Sequence, residues 1–354
     1  MPSPTLNVLA LTRYGELGPS TRVRFMQFGA ALAERGVAVD HAPLLDDGHL
    51  RRLYAGRPRR PLAVAAAYAR HARAAARRAY DLVWIEKELL PYVPARAERL
   101  LLAGTPYVLD YDDATFHTYD RHASSIVRRA MGDKVARLMR GAALVVAGND
   151  YLAGYAERAG ARRVAVLPSV VDLGAYGPVH PEPPLPFTVG WIGSPGSERL
   201  LETVRGPLEE IAADRDTRLV LVGASPAALA GVSHETWAWT QDTEVASIQS
   251  FHVGIMPLSD TPWERGKCGY KLIQCMGAGR SVVASPVGVN REIVTPETGF
   301  LAATPDEWVG ALRALHGAPA RRAAMGRAGR ARVAAEYSLA TAAPKLANLL
   351  RSAA

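Results

Sequence analysis

The chain has 354 residues, 49% of them hydrophobic and 21% charged, with a formal net charge of +8. That balance excludes a disordered or low-complexity chain, and the length exceeds what one core usually organises, so two domains of roughly 170 residues are expected. Cys268 and Cys275, the only cysteines, fit neither a CxxC motif nor a metal cluster and read as thiols of a reducing compartment.

LNVLALT (Leu6 to Thr12) reads as a strand, too short and without the basic flank of a signal peptide. RYGELGPSTR follows as a loop, then a helix from about Val23 to Arg35, stopped by Gly36, and VAVDHA as a strand. Between Arg51 and Tyr80 lie nine arginines (Arg51, Arg52, Arg57, Arg59, Arg60, Arg70, Arg73, Arg77 and Arg78) and no Asp or Glu. In PLAVAAAYARHARAAARRAY they take helical spacing around an alanine-rich face. That pattern suits an anionic membrane surface or an anionic acceptor, and equally a solvated helix face. Nucleic acid is disfavoured, because no aromatic stacking pattern or nucleic-acid module accompanies the charge.

DLVWIEK, PYVLDYDD, ALVVAGND and RVAVLPSV are short apolar runs with helical material between them. Continuous runs of this kind belong to parallel strands buried on both faces, so the expected class is α/β, with a doubly wound sheet. PVHPEPPLP (178–186) is the expected linker, which places a first domain at 1–177 and a second at 187–337. The second half repeats the scheme with FTVGWIGS, TRLVLVGAS, HVGIMPL, RSVVASPV and GFLAAT, and ends in helices, the last over 338–354. Two such domains in tandem imply a cleft between the carboxyl ends of their strands, where ligands of these sheets bind. No apolar run reaches the length of a membrane span, which points to a cytoplasmic protein.

The densest chemistry lies in FHVGIMPLSDTPWERGKCGYKLIQCMGAGRSVVASPVGVN (Phe251 to Asn290). A loop carrying Gly266 and Gly269 enters a helix at Tyr270. The first-turn N–H groups and the positive end of the helix dipole there, with Lys267 and Lys271 alongside, form a site for phosphate. Lys87, Lys134, Lys267, Lys271 and Lys345 are the only lysines in a chain that otherwise uses arginine, so two of five fall at this point. In the first half, DYDDATFHTYDRH (Asp110 to His122) crowds acids and histidines just beyond a strand end. Asp112, Asp113 and His117 are placed to orient an acceptor hydroxyl or take its proton, or to cap the following helix.

Together these motifs resemble a GT-B glycosyltransferase, more narrowly glycosyltransferase family 4, over nearly the whole chain. LGPSTRVR, VVAGNDYLAGYA with VAVLPSVVD, VGWIGSPGSERLLE, GKCGYKLIQCMGAGRSVVASPVGVNREIV and MGRAGRARVAAEYS appear in the family's order. The resemblance implies two Rossmann-like domains facing across a cleft, with the C-terminal helix crossing back onto the first. It implies a hexosyl or other glycosyl transferase that moves a sugar from a nucleotide-diphospho-sugar to an acceptor hydroxyl with retention. No metal or other cofactor is expected. The acceptor is a saccharide, a lipid-linked molecule or a small molecule, in work such as polysaccharide synthesis by a cytoplasmic or peripheral membrane protein.

Carried over by position, Gly18, Ser20, Thr21 and Arg22 fall in the acceptor-side loop. Gly193, Ser194, Arg199, Lys267, Gly269, Tyr270, Lys271, Gln274 and Glu292 fall around the donor. The family's pair of glutamates around the donor helix aligns with Gly266 and Gln274, and its first diphosphate-binding cation aligns with Ser194. Lys267 and Lys271 are expected to supply the missing charge, and Glu264 to stand in for the first glutamate. With both motif glutamates absent, the same resemblance accommodates a sugar-nucleotide-binding partner of another transferase. A nucleotide-sugar epimerase on the same architecture is a further alternative.

Overall fold

The computed structural model describes residues 5–58 and 60–354, so Arg59, one of the nine clustered arginines, lies outside the described residues. The chain divides into two compact units that interleave in sequence. Unit 1 takes the residues up to Ser169 with Gly266–Cys268 and Leu339–Ala354, and unit 2 takes Val170–Arg265 and Gly269–Ser338.

Unit 1 is built on six parallel strands: β1 (Leu6–Thr12), β2 (Val37–Pro43), β3 (Leu82–Glu86), β4 (Tyr107–Tyr111), β5 (Leu144–Ala147) and β6 (Val164–Val166). Their order is β2-β1-β3-β4-β5-β6. β3 and β4 are buried at every residue, which is why they read as unbroken apolar runs; β2, at one edge, buries only Val37 fully and tolerates Asp40 and His41. The expected helix from Val23 to Arg35 is broken into a helix Pro19–Arg24, a tight turn Met26–Phe28 and a helix Gly29–Ala33. The break falls where Arg24 turns inward, donating from Nε to Asp110 at 2.8 Å and from Nη1 to the Leu167 carbonyl at 2.8 Å. The helix expected among the clustered arginines spans Pro61–Ala75 and carries only Arg70 and Arg73 of them, with Arg77 and Arg78 beyond its end. The last helix, Leu339–Arg351, packs with unit 1, where Leu346 and Leu350 are fully buried and Arg163 donates to the Ser352 carbonyl at 2.6 Å.

Unit 2 repeats the plan with β7 (Phe187–Ile192), β8 (Thr217–Val222), β9 (Glu235–Trp237), β10 (Val253–Met256), β11 (Ser281–Ala284) and β12 (Gly299–Leu301), in the order β12-β11-β10-β7-β8-β9. β9 is a three-residue edge strand with no counterpart in the sequence reading, because HETWAWT is too short to show a period. Unit 2 starts at Val170, ahead of the proline-rich stretch. Val171 and Tyr176 belong to its core, and the proline-rich stretch is strapped down by Glu182, paired with Arg322 at 2.7 Å, and by Pro181, whose carbonyl accepts from Arg280.

In both sheets the chain builds outward one way and then returns to the other side of its first strand. The reversal lies between β1 and β3 in unit 1 and between β7 and β10 in unit 2. The crevice at the carboxyl ends of such a strand pair is where open α/β sheets take ligands.

Candidate functional site

At the switch point of unit 2, β7 ends in Ile192 and leads into Gly193 and Ser194, and β10 leads through Pro257 into the short helix Pro262–Arg265. Arg199, from the segment after β7, reaches Glu264, from the segment after β10, at 2.7 Å. The Glu264 carboxylate is buried and also accepts from the Thr261 hydroxyl, whereas the Arg199 side chain stays 64% exposed. Behind them the helix Tyr270–Gly277 starts at Gly269, whose φ of +65° is left-handed and which offers no capping side chain. A Cβ at Gly269 would also lie 2.2 Å from the Ile293 Cδ1, so backbone and space both require glycine. Lys271, in the first turn, places its ammonium over the ring of Trp191 in β7, 5.3 Å from the centroid. Tyr270 is half-buried beside it, and Glu292, on the helix Asn290–Ile293, is exposed.

Lys267 has a carboxylate partner of its own. Gly266–Cys268 packs with unit 1, and the Lys267 ammonium is paired with Asp113 at 2.7 Å. Of the two lysines expected to supply charge there, Lys271 lies in the first turn of the helix, and Lys267, just ahead of Gly269, shares its ammonium with the Asp113 carboxylate. Gly266 has its own steric reason. A side chain there would meet the Ala114 Cβ at 2.6 Å and its backbone nitrogen at 2.8 Å, so the family's glutamate has no room. Gln274 does not turn outward; it is 3% exposed and faces the Tyr176 hydroxyl in the unit 2 core.

The switch point of unit 1 holds a denser set of charges. Glu86 closes β3, and its carboxylate accepts from the Thr21 hydroxyl at 2.7 Å and from the Arg13 amide at 3.0 Å, tying the loop after β1 to the neighbouring strand. Lys87 follows with φ +65°, a left-handed backbone rarely taken by a residue with a side chain. Its ammonium donates to the Ser20 hydroxyl at 3.0 Å and pairs with Asp112 at 2.9 Å and Asp113 at 3.4 Å. Burial works to raise the Asp113 carboxyl, but Lys267 and Lys87 outweigh it and bring it down to about 2. For Lys87, burial is outweighed in turn by Asp112 and Asp113, and the ammonium is held above its ordinary range. Cys268 donates its thiol to the Asp112 carbonyl at 3.2 Å, and the Asn149 side chain donates to the Lys267 carbonyl at 3.0 Å.

Of the remaining expected residues, Gly18 precedes the Pro19–Arg24 helix and Arg22 reaches back to the Glu16 carbonyl. His117 is occupied: Nδ1 meets Asp120 at 2.8 Å and Nε2 meets the Tyr151 hydroxyl at 2.9 Å, so neither nitrogen is left for an acceptor. Sequence reasoning passed over Lys87 and Lys134. Lys134 is 2% exposed and lies between Glu88, at 2.6 Å, and Glu98, at 2.8 Å. The rarity of lysine was the available signal; three of the five pair with carboxylates in unit 1, two of them bridging a pair of acids. Among the described residues no group of three or more His, Cys, Asp or Glu is arranged to hold a metal ion, and no helix is long and apolar enough to cross a membrane.

Two parallel sheets of six strands, each with its switch point at the carboxyl ends, are the architecture of the GT-B glycosyltransferases. Residues 187–317, from β7 to the helix after β12, match the family model described as Glycosyl transferases group 1. Among solved structures, sucrose-phosphate synthase from Thermosynechococcus elongatus is similar at 18% identity over 98% of both chains, with a TM-score of 0.70. HepE from Anabaena, solved with UDP-glucose, is similar at 18% identity over 98% of this chain and 100% of its own, with a TM-score of 0.67. The α,α-trehalose 6-phosphate synthase of Burkholderia multivorans is similar at 15% identity over 98% of this chain and 97% of its own, with a TM-score of 0.61. At these identities the likeness is one of fold. No curated protein sequence matches the chain.

Proposed function

We propose that this protein is a glycosyltransferase that takes a nucleotide-diphospho-sugar on unit 2 and transfers its sugar, with retention, to a hydroxyl presented by unit 1. The observation that carries the reading is the convergence, at the switch point of a Glycosyl transferases group 1 domain, of Arg199, Glu264, Lys271 and the helix opened by Gly269. Two cations at a helix start suit a diphosphate. Transfer breaks the bond between the anomeric carbon and the β-phosphate oxygen, and its electron pair leaves with the nucleotide diphosphate. The acceptor oxygen bonds to the same face of the anomeric carbon, and its proton passes to the departing phosphate. Lys271 and the first-turn amides stabilise the charge that builds there, so neither a protein nucleophile nor a metal is invoked.

HepE, a neighbour of like fold, was solved with UDP-glucose, which makes it the first donor to try. The acceptor is a saccharide, a lipid-linked molecule or a small molecule. The exposed Arg70 and Arg73 on the helix Pro61–Ala75, with Arg77 and Arg78 just beyond it, suit contact with an anionic membrane during saccharide or polysaccharide synthesis at the inner face. Calorimetric titration with UDP, UDP-glucose and GDP-mannose, followed by assay of nucleotide diphosphate release without acceptor, tests the reading. Binding with slow release supports a transferase; no binding across the panel overturns it. Binding without release favours a second reading, a sugar-nucleotide-binding partner of another enzyme, for which the withdrawal of Lys267 to Asp113 is the motivating observation.

A further inference from the structure

We infer that Lys87 is the positioning residue of the acceptor site, fixing the Asp112–Asp113 pair so that one carboxylate oxygen, Asp112 Oδ2, is presented to the incoming hydroxyl. The inference rests on the transferase reading above and names which unit 1 group meets the acceptor and what aims it.

The geometry singles out one oxygen. Of the four carboxylate oxygens in the pair, Asp112 Oδ1 is taken by Lys87 at 2.9 Å, Asp113 Oδ2 by Lys87 at 3.4 Å and Asp113 Oδ1 by Lys267 at 2.7 Å. Asp112 Oδ1 is itself buried against Lys87, so the 15% of the Asp112 side chain that stays open lies away from it, on the side of Oδ2. Asp113 is thereby a poor hydrogen-bond acceptor for a substrate, its charge being shared between two ammonium groups. The thiol of Cys268 on the Asp112 carbonyl fixes the backbone beneath Asp112 Oδ2.

Lys87 has the features of a group held for a task. It is 7% exposed, and it keeps a left-handed backbone that places its ammonium between the helix after β1, through Ser20, and the loop after β4, through Asp112 and Asp113. Strain at a residue that joins loops across the switch point is the pattern expected where orientation matters more than stability. A point charge with three donors also fits the three oxygens around it better than a planar guanidinium would. On docking, Asp112 Oδ2 accepts the hydrogen bond of the acceptor hydroxyl and holds it in place; that hydrogen bond is given up as the bond from the anomeric carbon to the phosphate oxygen breaks. The proton itself goes to the departing phosphate oxygen.

The test uses the full chain with UDP-glucose as donor probe and glycerol as hydroxyl probe. Lys87→Met keeps the stem and removes the charge, Lys87→Arg restores it, and Asp112→Asn removes the charge from the presented oxygen. Lys87→Met should lower kcat/KM for glycerol by tenfold or more and leave the Kd for UDP-glucose within twofold. It should also move the acid limb of the glycerol kcat/KM profile to higher pH, because Asp113 loses one of the two ammonium groups that hold its carboxyl down. Lys87→Arg should recover part of the rate, and Asp112→Asn should match the loss without moving donor affinity. A Lys87→Met enzyme with unchanged glycerol kinetics and pH profile overturns the inference. So does a loss that comes with weakened UDP-glucose binding, which marks a structural role. If the wild-type chain binds no donor at all, the transferase reading falls and the inference falls with it.

Discussion

The carboxyl ends of the two sheets draw on the same residue types and spend them differently. In unit 1 the cations are consumed: Lys87 serves Asp112 and Asp113, Lys267 serves Asp113, and Lys134 serves Glu88 and Glu98, all in buried or half-buried positions. In unit 2 Arg199 pairs with the buried Glu264 while remaining largely in solvent, and Lys271 rests on an aromatic face. A region whose charges cancel locally holds shape and offers single hydrogen-bonding atoms, which suits a neutral hydroxyl. A region that sets Arg199 and Lys271 near a helix start suits a polyanion. The contrast makes unit 1 the place where charge substitutions cost stability, and unit 2 the place where they cost affinity.

The sharpest way to break that contrast is Lys134→Met. The ammonium is 1% exposed at its side chain, and its removal leaves the buried Glu98 without an ion-pair partner and Glu88 with Arg13 at 3.5 Å. A buried pair stripped of one partner typically costs about 3–5 kcal/mol, so the midpoint of urea unfolding should fall accordingly. A loss under about 1 kcal/mol would mean that water already screens the triad and that unit 1 is not charge-closed. Next comes Gly266→Glu, which restores the residue the family carries there. Overpacking against Ala114 should cost about 1–3 kcal/mol of stability and bring no gain in donor binding.

On the unit 2 side, Lys271→Ala should weaken UDP-glucose binding by about tenfold or more, which corresponds to about 1.4 kcal/mol. Its effect on unfolding should be smaller, because a half-exposed ammonium on a ring contributes roughly 0.5–1 kcal/mol. Unchanged donor affinity in the same titration would place the diphosphate away from the Tyr270 helix.

The fold was legible because both sheets are parallel and buried, so that β1, β3, β4, β7, β8, β10 and β11 announce themselves as short apolar runs between breakers. What escaped was the edge strand β9, too short for a period, and the break after Arg24, caused by an ion pair with Asp110, 86 residues away. Linear spacing put Lys267 beside Lys271, and it has no means of showing that the Lys267 ammonium is taken up by Asp113, 154 residues away. In the same way His117 looked available until the fold brought Tyr151 to its second nitrogen. Residue types at the site were readable; their allegiance depended on contacts between distant strands.

The smallest expected effect tests the closed character of unit 1 through pH. Glu98 is fully buried, and burial raises its carboxyl to about 7 against the opposing pull of Lys134. A folded-state value above the unfolded one means that folding favours the protonated form. The stability this group contributes is complete below about pH 4.5 and is lost as pH rises through about 7. Glu98→Gln keeps the shape and removes the titration. The stability difference between wild type and Glu98→Gln should therefore move against the wild type between pH 5 and pH 7.5, by on the order of 1 kcal/mol. Denaturant unfolding at those two values measures it. A difference that does not change with pH would show that Glu98 stays ionised throughout, held by Lys134 alone, and the triad would then be an ordinary ion pair with Glu88 as a bystander. A difference that moves as expected would show that the network in unit 1 already shares its charge near neutrality, which is the property that separates it from the open, cationic site of unit 2.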